Sequence, residues 1–342
     1  MVLPFDVAAR KRYYALLDEV FDASFWSDGP KLKQFEESFS VYCGLHAKGI
    51  SNGGVGLLSI LDYINIKGMD VVVPSNTFWA TAQAVKKAGG TVVYADCNKE
   101  DLCLSYTDLQ KRITPKTKAV IVVHIGGHIA FEIEKIAAFC KSKKIILVED
   151  CAHAHGAELN GKMGGSWGFA GAYSFYATKT MPMGEGGMVV STDKGFIDWV
   201  GKYRNYGKEV VDGKVTYPIL DGFNYRMNEF TAALGIVQLE RLPAILEWKR
   251  ELAAKYDAIF NRRVVFSPNM KSGYYKYITF DYKLKEKSGG VYGMSDLCHV
   301  IEGRKEELPN TMWVAEHHQC PPIFHGWEKA GLKISELSKT LL

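Results

Sequence analysis

Two residues near the middle of the chain have the types and spacing that imine chemistry requires. Lys179 ends the segment 173–179 (YSFYATK), and Asp150 lies 29 residues before it, at the end of an apolar run. A lysine amine can form an imine with an aldehyde, and a carboxylate can keep a pyridine ring protonated. The pair predicts a pyridoxal 5′-phosphate (PLP) enzyme in which Lys179 is the Schiff-base lysine and also moves a proton.

A glycine-rich segment, residues 51–56 (SNGGVG), precedes the helical run 57–63. Glycines let a phosphate approach the backbone amides at a helix N-terminus, where the helix dipole favours anions. The segment therefore predicts a phosphate site. A dinucleotide loop is the alternative, since Gly54 and Gly56 stand in GxG relation, but Ser59 replaces the third glycine and no acid ends a second strand about 20 residues on.

His153 and His155 follow Asp150 closely and raise the alternative of a metal site. Neither a third ligand nor an open zinc motif accompanies them, so we predict no metal. We expect His153 to contact the cofactor ring, whereas His155 could equally be structural.

Short apolar runs alternate with amphipathic stretches through the first two thirds of the chain. Such alternation predicts a mostly parallel sheet covered by helices on both faces. The first 40 or so residues are predicted to be helical, as are 79–87 and 132–141, and strands are predicted at 71–74, 91–94, 119–123, 145–148, 171–175 and 187–191.

The last third of the chain differs in pattern. Helices are predicted at 228–238 and, after Pro243, at 244–260, the second one connecting to another domain. Short strands and polar turns follow from about residue 264. We therefore predict a large domain over 1–243 and a small α+β domain over 244–342.

Composition excludes several classes of protein. The chain has 342 residues, 47% of them hydrophobic and 23% charged, as in ordinary globular proteins. Basic residues exceed acidic ones by four but are scattered, which argues against a nucleic-acid partner. Seven cysteines without a CxxC pair, no signal-like N-terminus and no apolar run of about 18 residues predict a cytoplasmic protein without a membrane span.

The chain resembles the DegT/DnrJ/EryC1/StrS family of PLP-dependent sugar aminotransferases, which have the type I fold of the aspartate aminotransferase superfamily. The resemblance is collinear from Phe25 to Gln238. It is carried by 26–30 (WSDGP), 73–78 (VPSNTF), 149–156 (EDCAHAHG), Ser174-Phe175 with Lys179, 184–187 (GEGG), 204–207 (RNYG) and 224–229 (NYRMNE).

The resemblance implies roles for individual residues. Lys179 would carry the cofactor, Asp150 would pair with the pyridine nitrogen and His153 would lie near the ring hydroxyl. Other matches are to the ring-stacking aromatic (Phe78), to phosphate donors from the same subunit (Gly53, Gly54 and Ser174) and to a phosphate donor from the neighbouring subunit (Asn224). A homodimer with active sites at the subunit interface is therefore expected.

The resemblance also implies the reaction. We expect transfer of an amino group, from L-glutamate, to a nucleotide-linked keto sugar in amino-sugar, surface-polysaccharide or natural-product biosynthesis. Family members that act as dehydratases have histidine in place of the lysine, so Lys179 favours transamination. Alternatives are a cyclitol or a small phosphorylated ketone as acceptor, and a non-catalytic PLP-binding regulator.

Two departures from the family pattern stand out. Gly54 occupies a position where the family usually has threonine, which would leave only backbone contacts to the phosphate there. The chain ends in the helix-like segment 334–342, where family members usually continue with a strand and a last helix. We expect the small domain to be truncated.

Overall fold

A seven-stranded sheet forms the centre of this computed structural model, which describes residues 4–284, 290–324 and 340–341. The strands are β1 (His46–Ile50), β2 (Asp70–Pro74), β3 (Thr91–Ala95), β4 (Thr117–Val123), β5 (Ile146–Asp150), β6 (Ala170–Ser174) and β7 (Gly187–Ser191). Their order in the sheet is β1-β7-β6-β5-β4-β2-β3; β7 runs antiparallel to both of its neighbours, and the other pairs in the sheet are parallel. The predicted α/β fold with a mostly parallel mixed sheet is confirmed.

Helices cover both faces of the sheet. They are α1 (Val7–Ala23), α2 (Pro30–Cys43), α3 (Gly53–Tyr63), α4 (Trp79–Lys87), α5 (Tyr106–Arg112), α6 (Ile133–Lys143), α7 (Lys194–Tyr203), α8 (Glu229–Asp257), α9 (Cys298–Ile301) and α10 (Pro309–His317). Alternate residues of a strand point to opposite faces, and β2 follows this rule. Val72 joins one buried cluster with α2, α5, α6 and α8, whereas Val71 and Val73 join another with α3, α4 and α7.

Strand and helix bounds in the first two thirds of the chain agree closely with those predicted from the sequence. The six predicted strands are present, with bounds that differ by at most two residues, and the helix predicted at 79–87 is α4. The edge strand β1 has no predicted counterpart. None of the described helices combines the length and apolar character that crossing a bilayer requires.

The predicted helix break at Pro243 is wrong. α8 runs without interruption from Glu229 to Asp257, with Pro243 inside it. A proline removes one helical hydrogen bond, but the turns around it are held by packing, because Leu242, Ile245 and Leu246 are buried. Tertiary contacts thus override the local signal. Since α8 crosses residue 243, the predicted division at 243/244 lies within a helix, and the two-domain division stays a prediction.

Short strands connect the C-terminal segment to the body. Met270–Lys271 pairs with Glu158–Leu159, which also pairs with Lys162–Met163. Within the C-terminal segment, Thr279–Phe280 pairs with His318–Gln319, and Tyr282–Lys283 pairs with Thr340–Leu341. A separate hairpin joins Glu209–Val211 to Lys214–Thr216. Residues 334–339 of the helix-like end lie outside the described residues. At Thr340–Leu341 the helical expectation is wrong, because these residues form a strand.

Candidate active site

A cavity of about 560 Å³ opens at the carboxyl ends of the parallel strands, where ligands bind in open α/β sheets. Strand ends supply Val123, Asp150 and Ser174, and the loop after β6 supplies Lys179. The other predicted residues that line it are Gly53, Gly54, Phe78 and His153. The fold therefore brings together every predicted site residue except Asn224.

Asp150 ends β5 at the floor of the cavity and is 6% exposed. Its Oδ2 accepts a hydrogen bond from Thr81 Oγ1 (2.9 Å), and its Oδ1 accepts one from the amide of Ala152 (3.0 Å). Burial raises the pKa of this carboxyl group, while these two bonds and the nearby Lys179 oppose the rise. A cationic ring nitrogen beside Asp150 would stabilise its ionised form.

Lys179 enters the cavity from the loop between β6 and β7. Its Nζ lies 4.9 Å from the centroid of the Tyr275 ring. The pKa of Lys179 is lowered to about 8: burial lowers it most, the Asp150 carboxylate opposes the change, and the positive charge of Lys276 adds to it. The amine therefore has a much larger neutral, nucleophilic fraction near neutral pH than an ordinary lysine.

The start of α3 forms the anion cradle. Asn52 caps the helix, its Oδ1 accepting from the amide of Val55 (2.9 Å). A Cβ at position 53 would lie 2.9 Å from the Cβ of Ser174, and one at position 54 would lie 3.3 Å from the Cβ of Ala80. The two glycines thus allow the helix start to approach β6 and α4 closely. The first amides of a helix have no intrahelical acceptor, and they suit a phosphate.

His153 is buried beside Asp150 and stacks on Tyr275, with ring centroids 4.0 Å apart. Its Nδ1 is buried and has no hydrogen-bond partner among the described residues. Burial and the charges of Lys179 and Lys276 hold its pKa well below the usual range, so the ring is neutral. His153 lines the cavity, and an unpaired polar atom on a lining residue fits a site that a polar ligand completes.

His155 does not line the cavity. Its ring packs against Tyr173 and Phe175, with centroids 5.2 and 5.6 Å away, and burial lowers its pKa to about 3. Of the two roles left open by the sequence, the structure favours the structural one.

Two of the residues assigned by resemblance lie at or beyond the rim. Phe78 precedes α4 at the cavity mouth and is 67% exposed, so one face of its ring is open to a ligand. Asn224 forms an isolated bridge with Asn205 on the outer surface and does not line this cavity. Within one subunit the structure does not bring Asn224 to the site.

The cavity also contains residues that the sequence did not single out: Thr81, Tyr275, Lys276 and Tyr292. Thr81 had a local signal, since it lies in the first turn of α4, just after Phe78. The other three, Tyr275, Lys276 and Tyr292, lie about a hundred residues after Lys179 in the sequence. Their local sequence contains no motif that links them to the strand ends.

Comparisons with known proteins agree with this geometry. The model of the DegT/DnrJ/EryC1/StrS aminotransferase family matches residues 8–288. GDP-perosamine synthase of Vibrio cholerae is 37% identical over 243 residues, covering 70% of this chain and 65% of that protein; GDP-perosamine synthase of Escherichia coli O157:H7 is 34% identical over 264 residues, covering 76% and 72%. The chain thus spans just under two thirds of the Vibrio protein.

A solved structure extends the similarity to nearly the whole chain. The X-ray structure of S. venezuelae DesV, in complex with a ketimine intermediate, superposes with a TM-score of 0.82 at 26% identity and covers 94% of this chain and 93% of DesV. The predicted type I fold is confirmed.

Proposed function

The chain belongs to the DegT/DnrJ/EryC1/StrS aminotransferase family, and from this premise we propose that it is a PLP-dependent aminotransferase acting on a nucleotide-linked keto sugar, with L-glutamate as amino donor. One observation carries the proposal. The fold places a lysine with a lowered pKa, a buried carboxylate and a glycine-lined helix N-terminus around one cavity.

The residues present fit PLP. The amides of Gly53 and Gly54, with Ser174, would hold the phosphate, and Asp150 would face the ring nitrogen. His153, which lines the cavity, would lie near the ring substituents, and Phe78 would cover one face of the ring. When bound, PLP supplies an electron sink for the carbanion that forms as a substrate loses its α proton.

The chain's own groups supply attachment, orientation and proton movement. Lys179 would hold the cofactor covalently, and its Nζ, when free, would be the base and acid that moves the proton at the substrate carbon. Asp150 would hold the proton on the ring nitrogen, and the hydrogen bonds from Thr81 and Ala152 fix the orientation of its carboxylate.

The names of the relatives support a nucleotide-sugar acceptor. Two relatives at 34–37% identity are GDP-perosamine synthases. We infer that this chain aminates a related acceptor in amino-sugar biosynthesis.

All seven cysteines are free, which supports a reducing, cytoplasmic location.

A homodimer with shared sites is part of the proposal. Phe25, Tyr206 and Tyr217 are exposed and line a groove with Asn205, which pairs with Asn224. With the exposed Phe223, which precedes Asn224, they define what we call the aromatic surface. Exposed apolar patches of this kind are typical of interaction sites. Burying this surface against a second copy would carry Asn224 toward the cavity of the partner.

The test uses purified protein loaded with PLP. Addition of L-glutamate should change the cofactor absorbance, and a panel of nucleotide-linked keto sugars should then reverse the change for one acceptor. Lys179→Ala should abolish both changes, and the matched control Lys271→Ala, which alters an exposed ion pair with Glu158 outside the cavity, should abolish neither. Full transamination by Lys179→Ala would contradict the proposal.

A further inference from the structure

Lys249 is a buried lysine of α8 that has no part in the proposed chemistry. It is 8% exposed and does not line the cavity. Its Nζ donates to the carbonyl of Tyr274 (2.9 Å) and to that of Ile323 (3.2 Å). Lysines are almost never buried unless the amine is paired. Here the pairing joins α8 to two segments that follow it in the chain.

Tyr274 has a backbone conformation that must be held by its surroundings. Its φ is +44°, in the left-handed region that residues with a side chain rarely adopt. Its amide donates to Ser272 Oγ (3.0 Å), and its carbonyl accepts from Lys249. Such a conformation persists where neighbouring groups fix it, and it often aims a side chain at a functional site.

The side chain that follows this turn is that of Tyr275, which lines the cavity. The centroid of its ring lies 4.9 Å from the Nζ of Lys179 and 4.0 Å from the ring centroid of His153. A ring so close to the amine keeps water from part of it. Burial is the largest cause of the lowered pKa of Lys179, so the position of this ring matters to the amine.

Backbone hydrogen bonds hold the same segment from the other side. The amide of Gly273 donates to the carbonyl of Gly127 (2.7 Å), and the amide of Lys276 donates to that of Gly126 (2.9 Å). These bonds join the segment to the loop after β4. Lys249 supplies the matching contact from α8.

We propose that Lys249 is a positioning residue for the candidate active site. Through the carbonyl of Tyr274, it holds the ring of Tyr275 against the amine of Lys179. The inference rests on the proposed function, which makes that amine the reactive group. Lys249 thus contributes to the environment of Lys179 without touching cofactor or substrate.

The contribution of Lys249 depends on its hydrogen bonds rather than on its charge. The pKa of Lys249 is lowered to about 7, chiefly by burial and also by the charge of Lys276. Near pH 8 the amine is therefore mostly neutral, and a neutral amine still has two hydrogens for the two carbonyls. Replacing Lys249 by methionine removes both hydrogen bonds and little charge at that pH.

The pH dependence of Lys179 labelling in the full-length apoprotein tests the proposal. Acetic anhydride reacts with neutral amines, so the midpoint of labelling is the pKa of Lys179. In Lys249→Met this midpoint should rise by about one pH unit, from about 8 toward the ordinary 10.5, because water reaches the amine once the ring moves. Lys255→Met, at an exposed position of the same helix, is the matched control and should leave the midpoint unchanged.

A double variant shows whether Lys249 acts through Tyr275. The face of this ring attracts an ammonium, but burial has the largest influence on Lys179, so Tyr275→Ala should also raise the midpoint. Lys249→Met combined with Tyr275→Ala should give the midpoint of Tyr275→Ala alone, since residues that act through one contact are not additive. A further shift in the double variant would overturn the proposal.

Two additional measurements separate a local effect from a loss of structure. Lys31 is buried, is paired with Glu19 and does not line the cavity, so its labelling should be the same in wild type and in Lys249→Met. A parallel rise at Lys31 would indicate general loosening and contradict the proposal. Lys249→Gln, whose side chain is one atom shorter, is the milder variant and should move the midpoint of Lys179 in the same direction. An unchanged midpoint in the Lys249 variants that fold, as judged by thermal unfolding, would overturn the proposal.

Failure of this inference is distinguishable from failure of the proposed function. If wild-type holoenzyme does not accept an amine from L-glutamate, the proposed function fails, and the labelling midpoints still report on Lys249. If wild type reacts and the midpoint of Lys179 does not respond to Lys249, only the positioning role is wrong.

Discussion

At the scale of single residues, the chemistry depends on how the cavity lowers the pKa of Lys179. An exposed lysine is almost entirely protonated near neutral pH and is a weak nucleophile. Here burial removes water from the ammonium and Lys276 adds repulsion, so the pKa falls to about 8 although Asp150 opposes the change. The same three groups would therefore set the pH range in which the amine can attack a carbonyl.

The pH dependence of this amine is testable in the apoprotein. Acetic anhydride reacts with neutral amines, so labelling of Lys179 should increase about tenfold per pH unit up to about pH 8 and level off above it. The midpoint of this pH dependence is the pKa of Lys179. Asp150→Asn should move the midpoint to lower pH, because the carboxylate raises the pKa of Lys179, and Lys276→Met should move it to higher pH, because the ammonium lowers that pKa. Competitive labelling with mass spectrometry measures the midpoint; one near 10.5 in wild type would contradict the expectation.

At the scale of elements, the site depends on the junction between the start of α3 and the end of β6. Gly53 and Ser174 meet there so closely that even a methyl group at position 53 has no room. The same approach brings the first amides of α3 toward the cavity that contains Lys179 and Asp150. Packing between these elements thus creates the anion cradle.

Gly53→Ala should separate the two elements. We expect PLP affinity to fall at least about tenfold, since the added Cβ would lie 2.9 Å from that of Ser174 and the helix start must shift away from the phosphate. The control is Gly201→Ala within α7, where the nearest atom is 3.7 Å away and alanine favours the helix by about 1 kcal/mol. Equal PLP affinity, by titration, in Gly53→Ala and wild type would refute the cradle.

At the scale of the whole molecule, one subunit contains nearly all of the proposed site. Asn224 is the exception, since it lies on the aromatic surface rather than in the cavity. If two copies pair through that surface, each would complete the cavity of the other. The prediction at this scale concerns sharing between subunits.

Mixing two defective variants tests this sharing. Lys179→Ala lacks the reactive amine, and Asn224→Ala lacks the side chain proposed to donate a hydrogen bond to the phosphate. The homodimer of each variant should therefore have low activity. Subunit exchange should restore activity, because a mixed dimer has one cavity with Lys179 and the partner's Asn224 both intact. At most about a quarter of wild-type activity is expected at equal mixing with random pairing; no recovery, with mixed dimers confirmed by mass spectrometry, would argue against a shared site.

Features that depend on the local order of residues can be predicted without the structure. Apolar runs alternating with amphipathic ones were sufficient for β2 to β7 and α4, because burial of each element requires its own periodicity. Asp150 at a strand end and Gly53 at a helix start were recognisable because a carboxylate after a buried strand and glycines before a helix have local physical meanings.

Features that join residues distant in sequence depend on how the elements pack. α8 continues through Pro243 because buried neighbours outweigh the lost hydrogen bond. Thr81 reaches Asp150, and Tyr275 and Lys276 reach the cavity that contains Lys179, only because helix packing and the backbone hydrogen bonds from Gly273 and Lys276 to Gly127 and Gly126 bring them to the strand ends. Such contacts join segments separated by many residues, and no local pattern encodes which side chains will meet.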